Sequence, residues 1–350
     1  MRKTNSGGMN YLEPQNQKQY RIGVQREKRK AAAEAMFKLV RNVMIAGVVI
    51  GGAIYFLVMQ LSQTTPVKAM DTFNHGAITN IITEITRPLG RNQVGFEMQS
   101  EYALLINLTN GRVLFDHQAD TRTFPASVTK IMTVLVGLEN STMNEDVTVI
   151  ADFDQLWLAG ASQAGFHFGE VRPMTEILHA IMLPSGAEAT WALANHIAGS
   201  YEDFVALMND KASELGMTDT HFVTATGLHD ENHFTTANDI AILLMYALTN
   251  PEFRDIFTTA EYELSRPNAR GNTMQSTFHQ FADTNAFDGG EIIGSRTGFT
   301  TPAGRCMASL ATDGTNEYIL ITFGAPDPHF TNVTSHIQDA LTIYAYFIDN

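Results

Sequence analysis

The sequence predicts an α/β fold: a mostly antiparallel sheet flanked by helices, with an inserted all-helical lobe, the whole preceded by one transmembrane helix. Three observations predict it. Strand patterns joined by tight turns occur at both ends of one region, around residues 102–115 and 305–324. Helical periodicity fills the chain between them, and an uncharged apolar run precedes everything. Strands first, helices in the middle and strands last assemble into one sheet carrying a helical lobe, with a cleft where the two meet.

The chain has 350 residues and a net charge of −14, unevenly spread. Residues 1–41 hold ten Lys/Arg against three acids, or +7, so the remaining 13 basic and 34 acidic residues give −21. Asn42 to Leu61 (NVMIAGVVIGGAIYFLVMQL) is 20 residues without a charge, enough to cross a bilayer as a helix. Lys38, Arg41 and the Lys28-Arg29-Lys30 cluster precede it, whereas only Lys68 follows closely. The positive-inside rule therefore predicts a single-pass protein of the cell membrane, with residues 1–41 as a cytoplasmic arm and the rest extracellular. A cleaved signal peptide is the alternative. It ordinarily has a short basic region and an apolar core of about 7–15 residues, and the candidate VKA cleavage site at Ala69 lies far from the apolar run.

Residues 62–99 read as a linker. Ile78, Ile81, Ile82 and Ile85 recur at helical spacing until Pro88, which predicts a short amphipathic helix within it. Residues 100–350 form the main domain. Tyr102 to Leu108 and Arg112 to Phe115 flank Thr109-Asn110-Gly111, a hairpin pattern. Arg305–Ala311 and Tyr318–Gly324 repeat that pattern, and a helix follows over 331–348 with Val333, Ile337, Leu341, Tyr344 and Ile348 on one stripe. Between the strand regions, helices are predicted over Met174–Leu183, Glu188–Ala198, Tyr201–Leu215 and Thr236–Leu248, each ended by Gly or Pro.

Several chemistries are excluded or disfavoured. Cys306 is the only cysteine, so neither an internal disulfide nor a Cys-based zinc site can form. No H-E-x-x-H pattern is present among the eleven histidines, and a zinc or other metal cofactor is not expected. His117, His167, His179, His196, His221, His229, His233 and His336 are expected at the surface or in loops. An acidic body disfavours nucleic acid as a partner. Cys306 is expected to be a small buried hydrophobe, and Trp157 to pack in the core or a loop.

The stretch FPASVTKIMTVLVGLEN, from Phe124 to Asn140, carries the chemistry. A helix starting near Ser127 brings the Ser127 hydroxyl and the Lys130 amine to one face at i,i+3. Val128, Ile131, Met132, Leu135 and Leu138 supply an apolar stripe that buries it. Burial disfavours the charged amine and makes it a better base, which is one way to activate a serine nucleophile. By itself Ser-x-x-Lys is a weak signal.

Two further motifs follow in order: LPSGAEA from Leu183 to Ala189 and GSRTGFT from Gly294 to Thr300. Together with PASVTK they resemble the S-x-x-K, S-x-N and K-T-G motifs of the serine D-alanyl-D-alanine carboxypeptidases, the low-molecular-mass penicillin-binding proteins. The likeness extends over roughly Ser100 to Asn350 and includes VTATGLHDENHFTTANDIAILLMYALTNPEF. The resemblance implies a β-lactamase/transpeptidase-like fold. It also implies an acyl-enzyme on Ser127 formed from peptidoglycan stem peptides ending in D-Ala-D-Ala, with β-lactam antibiotics as covalent inhibitors and no cofactor. Lys130 would be the base and Ser185 a proton relay. Arg296 and Thr297 would hold the substrate carboxylate, Gly298 would permit close approach, and Phe299 N–H would join Ser127 N–H in the oxyanion hole.

The chain departs from the family pattern twice. Arg296 stands where lysine is usual, which keeps the charge and allows a bidentate grip on a carboxylate. Ala187 stands at the asparagine position and offers no side-chain donor or acceptor. Neighbouring Glu188 is expected to point elsewhere. Reduced or unusual turnover is therefore expected, and Ala187→Asn should raise it in a D-alanine release assay. A β-lactamase and a non-catalytic wall-peptide-binding protein are the rival readings. The former lacks an evident glutamate for deacylation, and Ala187 favours the latter.

Overall fold

The computed structural model describes residues 95–327 and 333–348. The basic arm, the 42–61 span and the 78–85 helix predicted from sequence lie outside the described residues. Among the described residues no helix is long and apolar enough to cross a membrane.

In chain order the elements are β1 (Tyr102–Asn107), β2 (Val113–His117), a 3₁₀ turn (Ala126–Thr129), α1 (Lys130–Glu139), β3 (Asp146–Thr148), α2 (Phe153–Leu158), β4 (Val171–Pro173), α3 (Met174–Met182), α4 (Ala187–Ala198) and α5 (Tyr201–Glu214). There follow α6 (Ala237–Ala247), α7 (Pro251–Thr258), β5 (Glu261–Asn268), β6 (Gly271–Gln275), α8 (Thr277–Phe281), β7 (Ala286–Phe287), β8 (Gly290–Thr300), β9 (Gly304–Thr312), β10 (Glu317–Ala325) and α9 (Ser335–Ile348).

The main sheet has six strands in the order β2-β1-β10-β9-β8-β7. Each pairing is antiparallel, with Leu104 opposite Ile321 and Arg296 opposite Ala308. Strands from both ends of the domain thus share one sheet, as the sequence predicts. Both faces are covered, and strand alternation divides the side chains between them. Leu104, Ile106, Ile319 and Ile321 pack toward the helical lobe, while Ala103, Leu105, Tyr318 and Leu320 join Ile337, Ala340, Ile343 and Tyr344 of α9. Ile337 and Tyr344 of the predicted stripe are buried on the inward face of α9, Leu341 and Ile348 pack at its margin, and Ala340 and Ile343 join them; Tyr344 Oη donates to Ser309 O at 3.2 Å.

α1 runs through the middle of the lobe, buried from Lys130 to Gly137. Gly137 lets α1 pack closely on its neighbours, because a Cβ would lie 2.9 Å from Leu193 Cδ2 of α4. The caps follow the sequence. Ser200 accepts from Asp203 N, Thr236 from Asp239 N, and Gly199 ends α4 at φ +76°.

Two side-chain expectations are corrected. Trp157 is 75% exposed on α2 rather than packed, because Leu156 and Phe153 form the inward side of that helix. His179, His233 and His336 are buried, not superficial, each seated in the apolar interior. Cys306 is buried as expected, and burial pushes its thiol up to about 12.

Candidate active site

Pro125 cannot donate a backbone N–H, and Ala126 after it takes φ +46°, outside the region ordinary for alanine. The chain then makes the 3₁₀ turn Ala126–Thr129 before becoming α-helical at Lys130. The sequence predicts a helix from Ser127; the structure tightens its first turn, and 3₁₀ geometry eclipses residues i and i+3. Lys130 Nζ accordingly lies 3.4 Å from Ser127 Oγ. Ser185 Oγ donates to the same oxygen at 3.2 Å. Ser185 follows the C-terminus of α3 at φ +68°, so both non-glycine residues flanking the chemistry hold strained backbone. Ser127 is half-buried, hence reachable, whereas Lys130 is 2% exposed.

Burial, then the Arg296 charge, holds the Lys130 amine well below the ordinary lysine range, with Glu188 partly opposing them. Its second contact is donation to Thr226 O at 2.6 Å. These are the surroundings of an amine that can accept a proton.

Arg296 differs from the sequence expectation. Its side chain runs inward from β8 beneath the nucleophile turn and is fully buried. Nε donates to Ser127 O at 2.9 Å, Nη1 to Met182 O at 2.8 Å, and Nη2 to Ser185 Oγ. Met182 ends α3, so the cation sits at a helix C-terminus, where carbonyls and the dipole favour it. Each nitrogen donates one hydrogen bond inside the protein, and the guanidinium is turned away from solvent. The guanidinium instead ties Ser127 and Ser185 together, and burial pushes its pKa down to about 9.

Gly298, two residues along β8, lies on the same face as Arg296. A Cβ there would stand 2.7 Å from Ser127 N, so glycine allows the strand to lie against the nucleophile turn. Thr297 faces the other way and is 9% exposed, its Oγ1 sharing a 2.7 Å hydrogen bond with Thr277 Oγ1. The Phe299 ring carries the Arg305 guanidinium 4.3 Å from its centroid. Thus Ser127, Lys130, Ser185, Arg296 and Gly298 come together, with Thr297 and Phe299 on the adjoining strand.

The sequence reading missed the loop that closes this group from behind. Gly227 at φ +79° packs so tightly that a Cβ would fall 1.9 Å from Ala126 O. Tyr201 Oη accepts from Ala225 N at 2.8 Å and Thr226 N at 3.2 Å, aiming the Thr226 carbonyl at Lys130. The signal was the glycine of TATGLHD, present in the sequence but mute about its distant partner.

His233 lies in the loop before α6, as the sequence predicts, but it is buried there and tied to the nucleophile turn. Its Nδ1 accepts from Val223 N at 3.0 Å, so the ring proton is on Nε2 and donates to Thr129 Oγ1 at 2.8 Å. Thr129 Oγ1 in turn donates to Ala126 O at 2.7 Å. Burial pushes His233 down to about 4. Between pH 6.5 and 4 the unfolded chain therefore binds a proton that folded His233 does not, and stability falls as pH falls through that window. The expected loss from this residue is about 3 kcal/mol, with His336, pushed down to about 3, adding in the same direction. Urea midpoints at pH 7 and pH 4 measure it, and the gap between them should shrink in His233→Asn.

The second motif is enclosed as well. Ala187 is 1% exposed and its N–H donates to Ser162 O at 2.8 Å. Glu188 points away from Ser127, as expected, but inward: its Oε1 accepts from Ala164, Gly165 and Phe166 N at 2.7, 2.7 and 3.1 Å. Among the described residues no group of three or more His, Cys, Asp or Glu is placed to hold a metal ion.

The chain is 33% identical over 256 residues to D-alanyl-D-alanine carboxypeptidase DacF of Bacillus subtilis (strain 168), covering 70% of this chain and 63% of that protein. It is 31% identical over 237 residues to D-alanyl-D-alanine carboxypeptidase DacC of Escherichia coli (strain K12), covering 63% and 56%. The chain thus spans about three-fifths of the length of these relatives. The crystal structure of the Streptomyces K15 DD-transpeptidase superposes with a TM-score of 0.63 at 25% identity, over 72% of this chain and 98% of that one. The family model described as D-alanyl-D-alanine carboxypeptidase matches residues 89–327, well over half of the sequence, and the chain belongs to that family.

Proposed function

We propose that the chain is a membrane-anchored serine-type D-alanyl-D-alanine carboxypeptidase acting on peptidoglycan stem peptides that end in D-Ala-D-Ala. The observation that carries this reading is the buried Lys130 amine 3.4 Å from Ser127 Oγ, with Ser185 Oγ on the same oxygen. Ser127 Oγ attacks the carbonyl between the two terminal D-alanines as Lys130 takes its proton. The N–H groups of Ser127 and Phe299 receive the oxyanion, and Gly298 permits their convergence. Ser185, held by Arg296, passes a proton to the leaving amine. D-alanine departs, and water hydrolyses the ester to restore Ser127. Thr297 Oγ1, coupled to Thr277, meets the substrate's free carboxylate, while Arg296 supplies positive potential from below rather than a direct grip.

Residues 42–61 anchor the protein, with residues 1–41 in the cytoplasm and the catalytic domain outside. A membrane-fraction blot with an N-terminal tag tests this: recovery of the tag on the full-length band supports the anchor, and its loss with a shortened band supports cleavage.

Labelled penicillin tests the nucleophile. Wild type should be labelled covalently and Ser127→Ala should not, and wild type should release D-alanine from a pentapeptide. Slow recovery from the penicilloyl ester is expected, against the β-lactamase reading. Ala187 favours a second reading, a weakly active or non-catalytic wall-peptide-binding protein of the same fold. An unlabelled wild type would establish that reading instead.

A further inference from the structure

Glu188 is buried yet takes no part in the steps above. It is 0% exposed, follows Ala187 at the start of α4, and lies far in sequence from the loop its carboxylate grasps. Oε1 accepts three backbone N–H groups of residues 164–166, while Oε2 is buried with no partner among the described residues. That loop forms the wall beside the second motif: Ser162 O accepts Ala187 N, and a Cβ on Gly186 would stand 2.8 Å from Ala164 Cβ. The wall and Ser185 are therefore fastened together at one carboxylate.

The charge matters separately from the hydrogen bonds. Burial raises the Glu188 carboxyl above the ordinary glutamate range while its backbone N–H donors oppose that rise, and a glutamine carbonyl oxygen could accept the same three N–H groups without the cost of a buried charge. The groups facing Lys130 are Arg296 from β8, Glu188 from α4, and His233 with Tyr201 around the 223–233 loop. Arg296 makes no ion pair among the described residues, and Glu188 is the acid that acts on Lys130. When Lys130 takes the Ser127 proton it becomes a second buried cation beside Arg296, and a carboxylate nearby offsets that without touching either.

We propose that Glu188 is a positioning residue with two separable actions: its Oε1 seats the 162–166 wall against Ser185, and its negative charge steadies Lys130 once that amine has taken the Ser127 proton. The first action stands on geometry alone; the second rests on the catalytic reading of Lys130.

Two variants of the full chain separate them. Glu188→Gln keeps an acceptor for the three N–H groups and removes the charge. Without that charge protonated Lys130 is less favourable, so the acid limb of the pH profile for penicillin acylation should move to lower pH, by about half a unit or more. Glu188→Asp keeps the charge but is one methylene too short for the loop. Acylation should fall about tenfold or more at every pH, with the limb in place. Hydrogen exchange at the 164–166 amides reads the seating without any activity: slow in wild type and Glu188→Gln, fast in Glu188→Asp. A merely structural residue would leave the limb of Glu188→Gln unmoved, and that result overturns the electrostatic action. Amides equally protected in Glu188→Asp overturn the seating. A wild type that is not acylated refutes the catalytic reading and with it the electrostatic action, while the exchange measurement still decides the seating.

Discussion

Lys130→Met should lower the second-order rate of penicillin acylation by on the order of 10³-fold while leaving the protein folded. The loss is that expected when a positioned general base is removed from a serine that depends on it. Stability should hold or rise, because the wild-type amine is taken from water without an ion-pair partner in contact among the described residues. An apolar side chain of similar length has no proton to give up on burial and so avoids that cost. The sign follows from the direction of the shift. The folded Lys130 binds its proton more weakly than the unfolded chain does, so the wild type is destabilised at pH values below the ordinary lysine range. Methionine removes that penalty. Stopped-flow acylation and thermal melting at pH 7 check the two halves. A variant that keeps most of the wild-type rate would show that another group takes the Ser127 proton, and a variant that melts far below wild type would show that the Thr226 contact supports the fold.

Why some of this was legible in sequence and some was not depends on distance along the chain. Ser127 and Lys130 are one turn apart, so local helical geometry already places them together, whichever helix type forms. β1, β9 and β10 could be read because each carries a long apolar run between turn residues. The β5–β6 ribbon could not: Leu264 is its one buried residue within β5, the remainder is polar, and Pro267 argues against a strand. Arg296 was legible as a residue but not as a contact. Strand register puts it on the face turned toward Ser127, and from there its length carries it to Met182 O and Ser185 Oγ instead of toward solvent. Glu188 and Gly227 failed for a related reason. Their partners are 22–24 residues away in one case and in the nucleophile turn in the other, and neither composition nor periodicity encodes such a pairing.

The largest stability effect is expected at Gly227. Alanine there meets two penalties at once. The backbone sits at φ +79°, which any side chain with a Cβ disfavours, and the new carbon would lie 1.9 Å from Ala126 O and 2.5 Å from Ala126 C. Neither atom can swing aside as a side chain could, because Ala126 O is held by Thr129 Oγ1 and the turn rests on β8 through Gly298. Gly227→Ala should therefore cost about 3–5 kcal/mol, or roughly 10 °C in melting temperature for a domain of this size. Gly199→Ala provides the control. It has almost the same dihedral, φ +76°, and nothing within 4 Å of its Cβ, so it should lose only about 1 kcal/mol. Acylation should also fall steeply in Gly227→Ala at temperatures where it remains folded, since the displaced turn carries Ser127 N and the Thr226 carbonyl leaves Lys130. If both glycine variants melt alike and acylate alike, the 223–233 loop does not brace the nucleophile, and Lys130 must owe its position to the packing of α1 alone.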